Sequence, residues 1–183
     1  MNYVSSNATS APAFVLKNYA PMSHKVEILH RQHGKIMCIY PKNHHAALLS
    51  AGSLIFCMVE KNQNFYRFLN LEIESALHGF SVVQLQFIHD IIRLCIKKIP
   101  REIMVPELFD YLLYVYSDLS NLSDDGKLIV LLRCFLMLDL LPEQPEVYFV
   151  AAQDPYGTIK QESKILHEYV RKSWDNFYQH DTL

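Results

Sequence analysis

The chain has 183 residues, half of them apolar and a fifth charged, with a formal net charge of −2 at pH 7. That composition predicts a globular protein with length for one large domain or two small ones, and no internal repeat or low-complexity segment breaks it. Charge is uneven along the chain: residues 1 to 80 carry seven Lys or Arg against four acids, and residues 81 to 183 carry ten against fifteen, giving +3 and then −5.

The first twelve residues, "MNYVSSNATSAP", lack the basic start and apolar run of a signal peptide. From Ala13 to about Ala76 the pattern is that of strands. "AFVLK" leads to a turn at Pro21. "KVEILH" alternates polar and apolar residues, which predicts a strand with one wet face. "RQHG" forms a turn ending at Gly34, and "KIMCIY" resumes the pattern as far as Pro41. "GSLIFCMVEK" and "NFYRFLNLEIESA" flank a polar tip at Lys61 to Asn64, the mark of a hairpin. Five short strands in so few residues predict a small barrel rather than a sandwich.

After Gly79 the apolar period becomes helical. Phe87, Ile88, Ile91, Ile92, Cys95 and Ile99 form one stripe, which Pro100 stops. Pro106 opens a second helix with Leu108, Phe109, Leu112, Leu113, Tyr116 and Leu119 on one side. Ser123 begins a third, with Asp124 and Asp125 in its first turn, ending before Pro142. A linker, "PEQPEVYFVAAQDPYG", then leads to a last amphipathic helix capped by Thr158 and Gln161. The fold class expected is α+β: a five-stranded barrel domain over residues 1–78, then an α-helical domain over 79–183.

Cys38, Cys57, Cys95 and Cys134 are widely spaced among apolar neighbours, with no CxxC pair, so they read as buried thiols in a reducing compartment. The greasiest stretch, Leu128 to Leu141, is too short for a membrane span and contains Arg133 and Asp139. A cytoplasmic protein with no membrane partner is expected.

Read in order, three segments resemble the RecO family of bacterial recombination mediators, over roughly residues 13 to 145. "AFVLKNYAPMSHKVEILHRQHGKI" is similar to the family's first two strands, with Ala13, Phe14, Val15, Leu16, Ser23, Gly34 and Lys35 at matching places. "FIHDIIRLCIKKIPREIMVPELFDYLL" resembles its helix, spacer and L-F-x-x-L helix, through Leu108, Phe109 and Leu112. "LLRCFLMLDLLPEQP" resembles its helix with an Arg and a leucine ladder. The resemblance implies an oligonucleotide-binding (OB) fold barrel on a helical domain, no enzyme active site and no cofactor. It implies binding of single- and double-stranded DNA, strand annealing, docking of the single-strand-binding protein's acidic C-terminal tail, and work with RecR to load RecA. The chain departs from the family in three places. It has no four-cysteine zinc module. Its basic run after the third strand is reduced to "PKNHH". The ladder helix has Cys134 and Phe135 after its Arg and lacks the usual Gly near its end.

The segment from Phe14 to His45 holds five Lys or Arg, five His and one carboxylate, Glu27. A single strand of DNA is held by cations that neutralise phosphates and by aromatic faces on which bases stack. Lys17, Lys25, Arg31, Lys35 and Lys42 are the candidate cations, and Tyr40 and Tyr66, with Tyr19 and Phe65, the candidate stacking surfaces. His24, His30, His33, His44 and His45 have no spacing of a metal site and are expected as surface or turn residues that gain charge towards pH 6. A second basic group, Arg93, Lys97, Lys98 and Arg101, lies beside the apolar stripe of Ile92, Cys95 and Ile99, and with Arg133 is the candidate site for an acidic partner peptide. Two rival readings remain: an adaptor that docks proteins but has largely lost DNA binding, and a metal-dependent phosphohydrolase built on His89 and Asp90 with His78 and Asp110. The second is disfavoured because adjacent residues on a helix point about 100° apart.

Overall fold

The computed structural model describes residues 10–40, 49–75, 77, 79–140 and 172. Five strands come first: β1 (Ala11–Asn18), β2 (Lys25–His30), β3 (Gly34–Ile39), β4 (Leu54–Asn62) and β5 (Phe65–Ser75). Helices α1 (Val82–Lys98), α2 (Pro106–Ser117) and α3 (Asp124–Met137) follow, with a 3₁₀ turn at Leu119–Asn121. The chain forms two compact units, Met1–Asp110 and Tyr111–Leu183, and α1 falls in the first with the strands. The last amphipathic helix and its cap at Thr158 and Gln161 lie outside the described residues. No described helix is long and apolar enough to cross a membrane.

The strands close into a barrel in the order β1-β2-β3-β5-β4. Neighbours are antiparallel except β3 and β5, which run parallel and pair at two positions, Cys38 with Tyr66 and Ile39 with Arg67. Ala13, Val15, Val26, Ile28, Ile36 and Ile55 fill the interior. The wet face expected of "KVEILH" is absent: every residue of β2 after Lys25 is buried, Glu27 and His30 included. Chain that follows α1 runs beside the start of β3. Glu102 N–H donates to the Lys35 carbonyl at 2.9 Å, and Arg101 bridges to Lys35.

Gly34 makes that approach possible. Its φ is +70°, and a Cβ there would collide with the backbone carbonyl of Ile103, so the turn needs a residue with no side chain. Gly52, at φ +97°, likewise lets the β1 bulge and α1 come together: its N–H donates to Val15 O at 2.7 Å, and an added Cβ would press on Ile88.

Local chemistry sets the helix ends. Ser81 and Gln84 form a reciprocal capping box on α1, and Ser123 accepts from Gly126 N–H at the start of α3. After α3, Asp139 takes the left-handed φ of 55° where a glycine is usual. The second unit is packed by Leu112, Val115, Ile129, Val130, Leu132 and Phe135.

Candidate nucleic-acid interface

Asn18 organises one end of the barrel. Its Oδ1 accepts from Ala20 N–H at 3.0 Å and from the Tyr40 hydroxyl at 3.2 Å, and its Nδ2 donates to Leu49 O at 2.9 Å. An Asn before a Pro-containing turn is suited to this, because its short amide bonds backbone groups nearby. The β1–β2 loop is closed further by Ser23 N–H to Tyr19 O and Tyr19 N–H to Lys25 O, both 3.1 Å. On this frame Lys17, His24 and Lys25 are exposed, Tyr19 is half-buried, and Met22 at the tip is 91% exposed. Lys17 Nζ lies 4.9 Å from the centre of the Tyr19 ring. Among the described residues no carboxylate pairs with Lys17 or Lys25.

The other cations of the early strands go elsewhere. Arg31 follows the far end of β2, six residues along an extended strand and therefore about 20 Å from Lys25, and its guanidinium pairs with Asp110 at 2.9 Å. Lys35 is 7% exposed, and its ammonium donates to Ile96 O at 2.5 Å, at the carbonyl end of α1. Burial lowers its pKa while nearby Glu27 opposes the shift. Tyr40 and Tyr66 belong to the barrel core, 2% and 7% exposed, so neither offers a ring face to a base. Phe65 is half-buried. Lys42, His44, His45 and His78 lie outside the described residues. Of the seven residues put forward for DNA, the structure therefore leaves Lys17 and Lys25 on an open surface, ties Arg31 and Lys35 into internal contacts, and buries Tyr40 and Tyr66.

Rings close the Arg31 end. His30 stacks on His33 with centroids 4.8 Å apart, His33 lies 5.4 Å from Tyr66, and Lys61 Nζ sits 5.6 Å above the Tyr66 ring while pairing with Glu102 at 2.7 Å. The surface histidines expected here are instead buried, for His30, and half-buried, for His33. Burial, then the neighbouring His33, lowers the His30 pKa to about 4; burial, then Lys61, lowers that of His33. His30 is therefore neutral at pH 6 and adds no charge for a phosphate.

In the second basic group, Arg93, Lys97, Lys98 and Arg101 are exposed, with Arg93 and Lys97 one turn apart on α1. The apolar stripe beside them is closed to a peptide, since Ile92, Cys95 and Ile99 are 6%, 2% and 1% exposed. Arg133 is half-buried on α3, its guanidinium 5.7 Å from the Tyr111 ring. The phosphohydrolase set does not assemble from its described members: His89 is exposed on α1, and Asp110 is salt-bridged to Arg31. Among the described residues no three His, Cys, Asp or Glu are placed to hold a metal ion. All four thiols are buried, and burial raises the pKa of Cys38, Cys57 and Cys95.

Sequence reasoning missed the clamp at Asn18 and the exposed tip at Met22; the signal for the first was an Asn two residues before Ala-Pro. In the comparisons with known proteins, no family model matches this chain and no curated protein matches it significantly.

Proposed function

We propose that the chain is a non-enzymatic, cytoplasmic DNA repair and recombination mediator resembling RecO, whose barrel has the OB fold. Its five strands close in the order β1-β2-β3-β5-β4 with β3 and β5 parallel, which supports the OB reading, and helices follow the barrel. The observation that carries the reading is the pair Lys17 and Lys25 at one barrel end, exposed around a half-buried Tyr19. Cations beside an aromatic ring suit a single strand, neutralising phosphates while a base stacks. In this reading the exposed cations Arg93, Lys97 and Lys98 of α1, with Arg101 just after it, draw the acidic tail of the single-strand-binding protein, and the protein anneals strands and acts with RecR in loading RecA; duplex DNA is a second ligand.

Fluorescence anisotropy with a labelled single-stranded oligonucleotide tests the proposal. Binding should weaken steeply with salt, each phosphate contact contributing about 0.7 to the logarithmic slope. Reversing both Lys17 and Lys25 should abolish that slope. A second reading, the protein-docking adaptor, is favoured by one fact: Arg31 and Lys35 are held in internal contacts. No binding at low salt, together with capture of the tail peptide, would establish the adaptor and reject the DNA-binding mediator.

A further inference from the structure

The ring stack at the closed end of the barrel contains a group that the DNA reading does not use. His30 is 2% exposed, and its two nitrogens have different surroundings. Nδ1 accepts a hydrogen bond from Gln32 N–H at 3.1 Å, so it carries a lone pair and the ring proton is on Nε2. Nε2 is buried with no hydrogen-bond partner of normal geometry, although the Cys57 backbone faces the ring. The Gln32 bond lies within the turn joining β2 to β3. That same turn begins at Arg31, whose N–H donates to Pro12 O at 3.2 Å, and ends at Gly34 against Ile103.

We propose that His30 is a proton-operated latch for the β2–β3 turn: a proton on Nδ1 and the Gln32 N–H bond that holds the turn are mutually exclusive. Protonation replaces the acceptor with a second donor, so the Gln32 amide loses its partner and two N–H groups face a buried site. Burial and the neighbouring His33 outweigh what would favour the new charge. His33 stacks directly on the ring from the turn itself, and Lys61 approaches from β4 across Tyr66 of β5. Glu102, from the chain after α1, is the one described carboxylate in this cluster, and it is paired to Lys61. The Cys57 backbone on β4 favours the charge, but less than burial and His33 oppose it, and the buried Cys57 thiol is neutral, with a pKa raised to about 12. The charge is therefore accommodated by opening the turn to water.

The sign follows from linkage. The folded pKa of His30 lies below its ordinary value of 6.5, so the open or unfolded chain binds the proton more readily. The closed turn is at full strength above about pH 6.5, weakens as pH falls, and stops weakening below about pH 4. Across that interval the closed-to-open ratio should drop on the order of 100-fold.

Two measurements on the full chain test the latch. Carbon-detected titration of the histidine rings in the native protein should place His30 below about pH 5, and amide exchange at Gln32 should accelerate below pH 6 before exchange in the β1–β2 pairing does. Urea unfolding at pH 7 and pH 4.5 should then show that His30→Gln, which keeps an acceptor but does not titrate, loses at least tenfold less stability on acidification than the wild type. A His30 titration near 6.5 in the folded protein, or equal pH losses in the wild type and the variant, would overturn the proposal. If the variant does not fold, the native-state titration and the exchange at Gln32 decide the matter alone.

Discussion

At the β1–β2 loop end of the barrel, Lys17 and Lys25 stand in water around a loop that Asn18 holds; at the β2–β3 turn end, Arg31 and Lys35 are tied into Asp110 and the end of α1. The four cations look equivalent in sequence. What separates their fates is the chain covering the barrel. Residues 101 and 102 pair with the backbone of Lys35 and Ile96 O of α1 accepts from its ammonium, whereas nothing described covers Lys17 or Lys25. A cation therefore marks a ligand surface only where no helix terminus or carboxylate of the same protein has claimed it.

The sharpest way to break this contrast is at Gly34. Gly34→Ala should lower stability by about 4 kcal/mol, because the residue needs a positive φ and its Cβ would meet the Ile103 carbonyl; a urea-unfolding loss below about 1 kcal/mol would show that the two backbones are not held together. Lys35→Met should remove about 2 kcal/mol by leaving Ile96 O without its charged donor. Its affinity for a single-stranded oligonucleotide should be unchanged, and a shallower salt dependence would place Lys35 on the ligand after all. At the open end the outcome should invert: the double substitution Lys17→Glu and Lys25→Glu should weaken oligonucleotide binding at least tenfold, about 1.4 kcal/mol, with the urea midpoint unmoved. Smallest of all, Arg31→Ala breaks a half-exposed pair and should cost about 0.5 kcal/mol. A drop of several kcal/mol in unfolding experiments would mean that this ion pair fastens the turn.

Strands and helix starts were legible because their signals are local. "KVEILH" gives the bounds of β2 as read, Pro106 opens α2, and Ser123 caps α3. The barrel itself was inferred from strand number and length, and its closure is seen in the pairing of β1 with both β2 and β4. What sequence could not convey was which strand face water touches. Period-two alternation in β2 places Glu27 and Lys25 on one side, but nothing within "KVEILH" tells that Glu27 is buried there while Lys25 is exposed. The same ignorance put Tyr40 and Tyr66 on the ligand surface, since a barrel-core tyrosine and a stacking tyrosine have the same strand neighbours. By sequence His30 is a surface or turn residue, and for the same reason its burial is not legible there. Lys17 and Lys25 flank a loop just as Arg31 and Lys35 flank a turn, so the sequence alone did not tell the exposed pair from the engaged one.

The parallel join between β3 and β5 has a mechanical corollary. Every other pair of adjacent strands is zipped along four or more positions, whereas this one is stitched at Cys38–Tyr66 and Ile39–Arg67 alone. A hoop under tension tears at its thinnest weld, so pulling the cylinder open would part it there first. It would then unroll into a sheet with β3 at one margin and β5 at the other, the remaining ladders still intact.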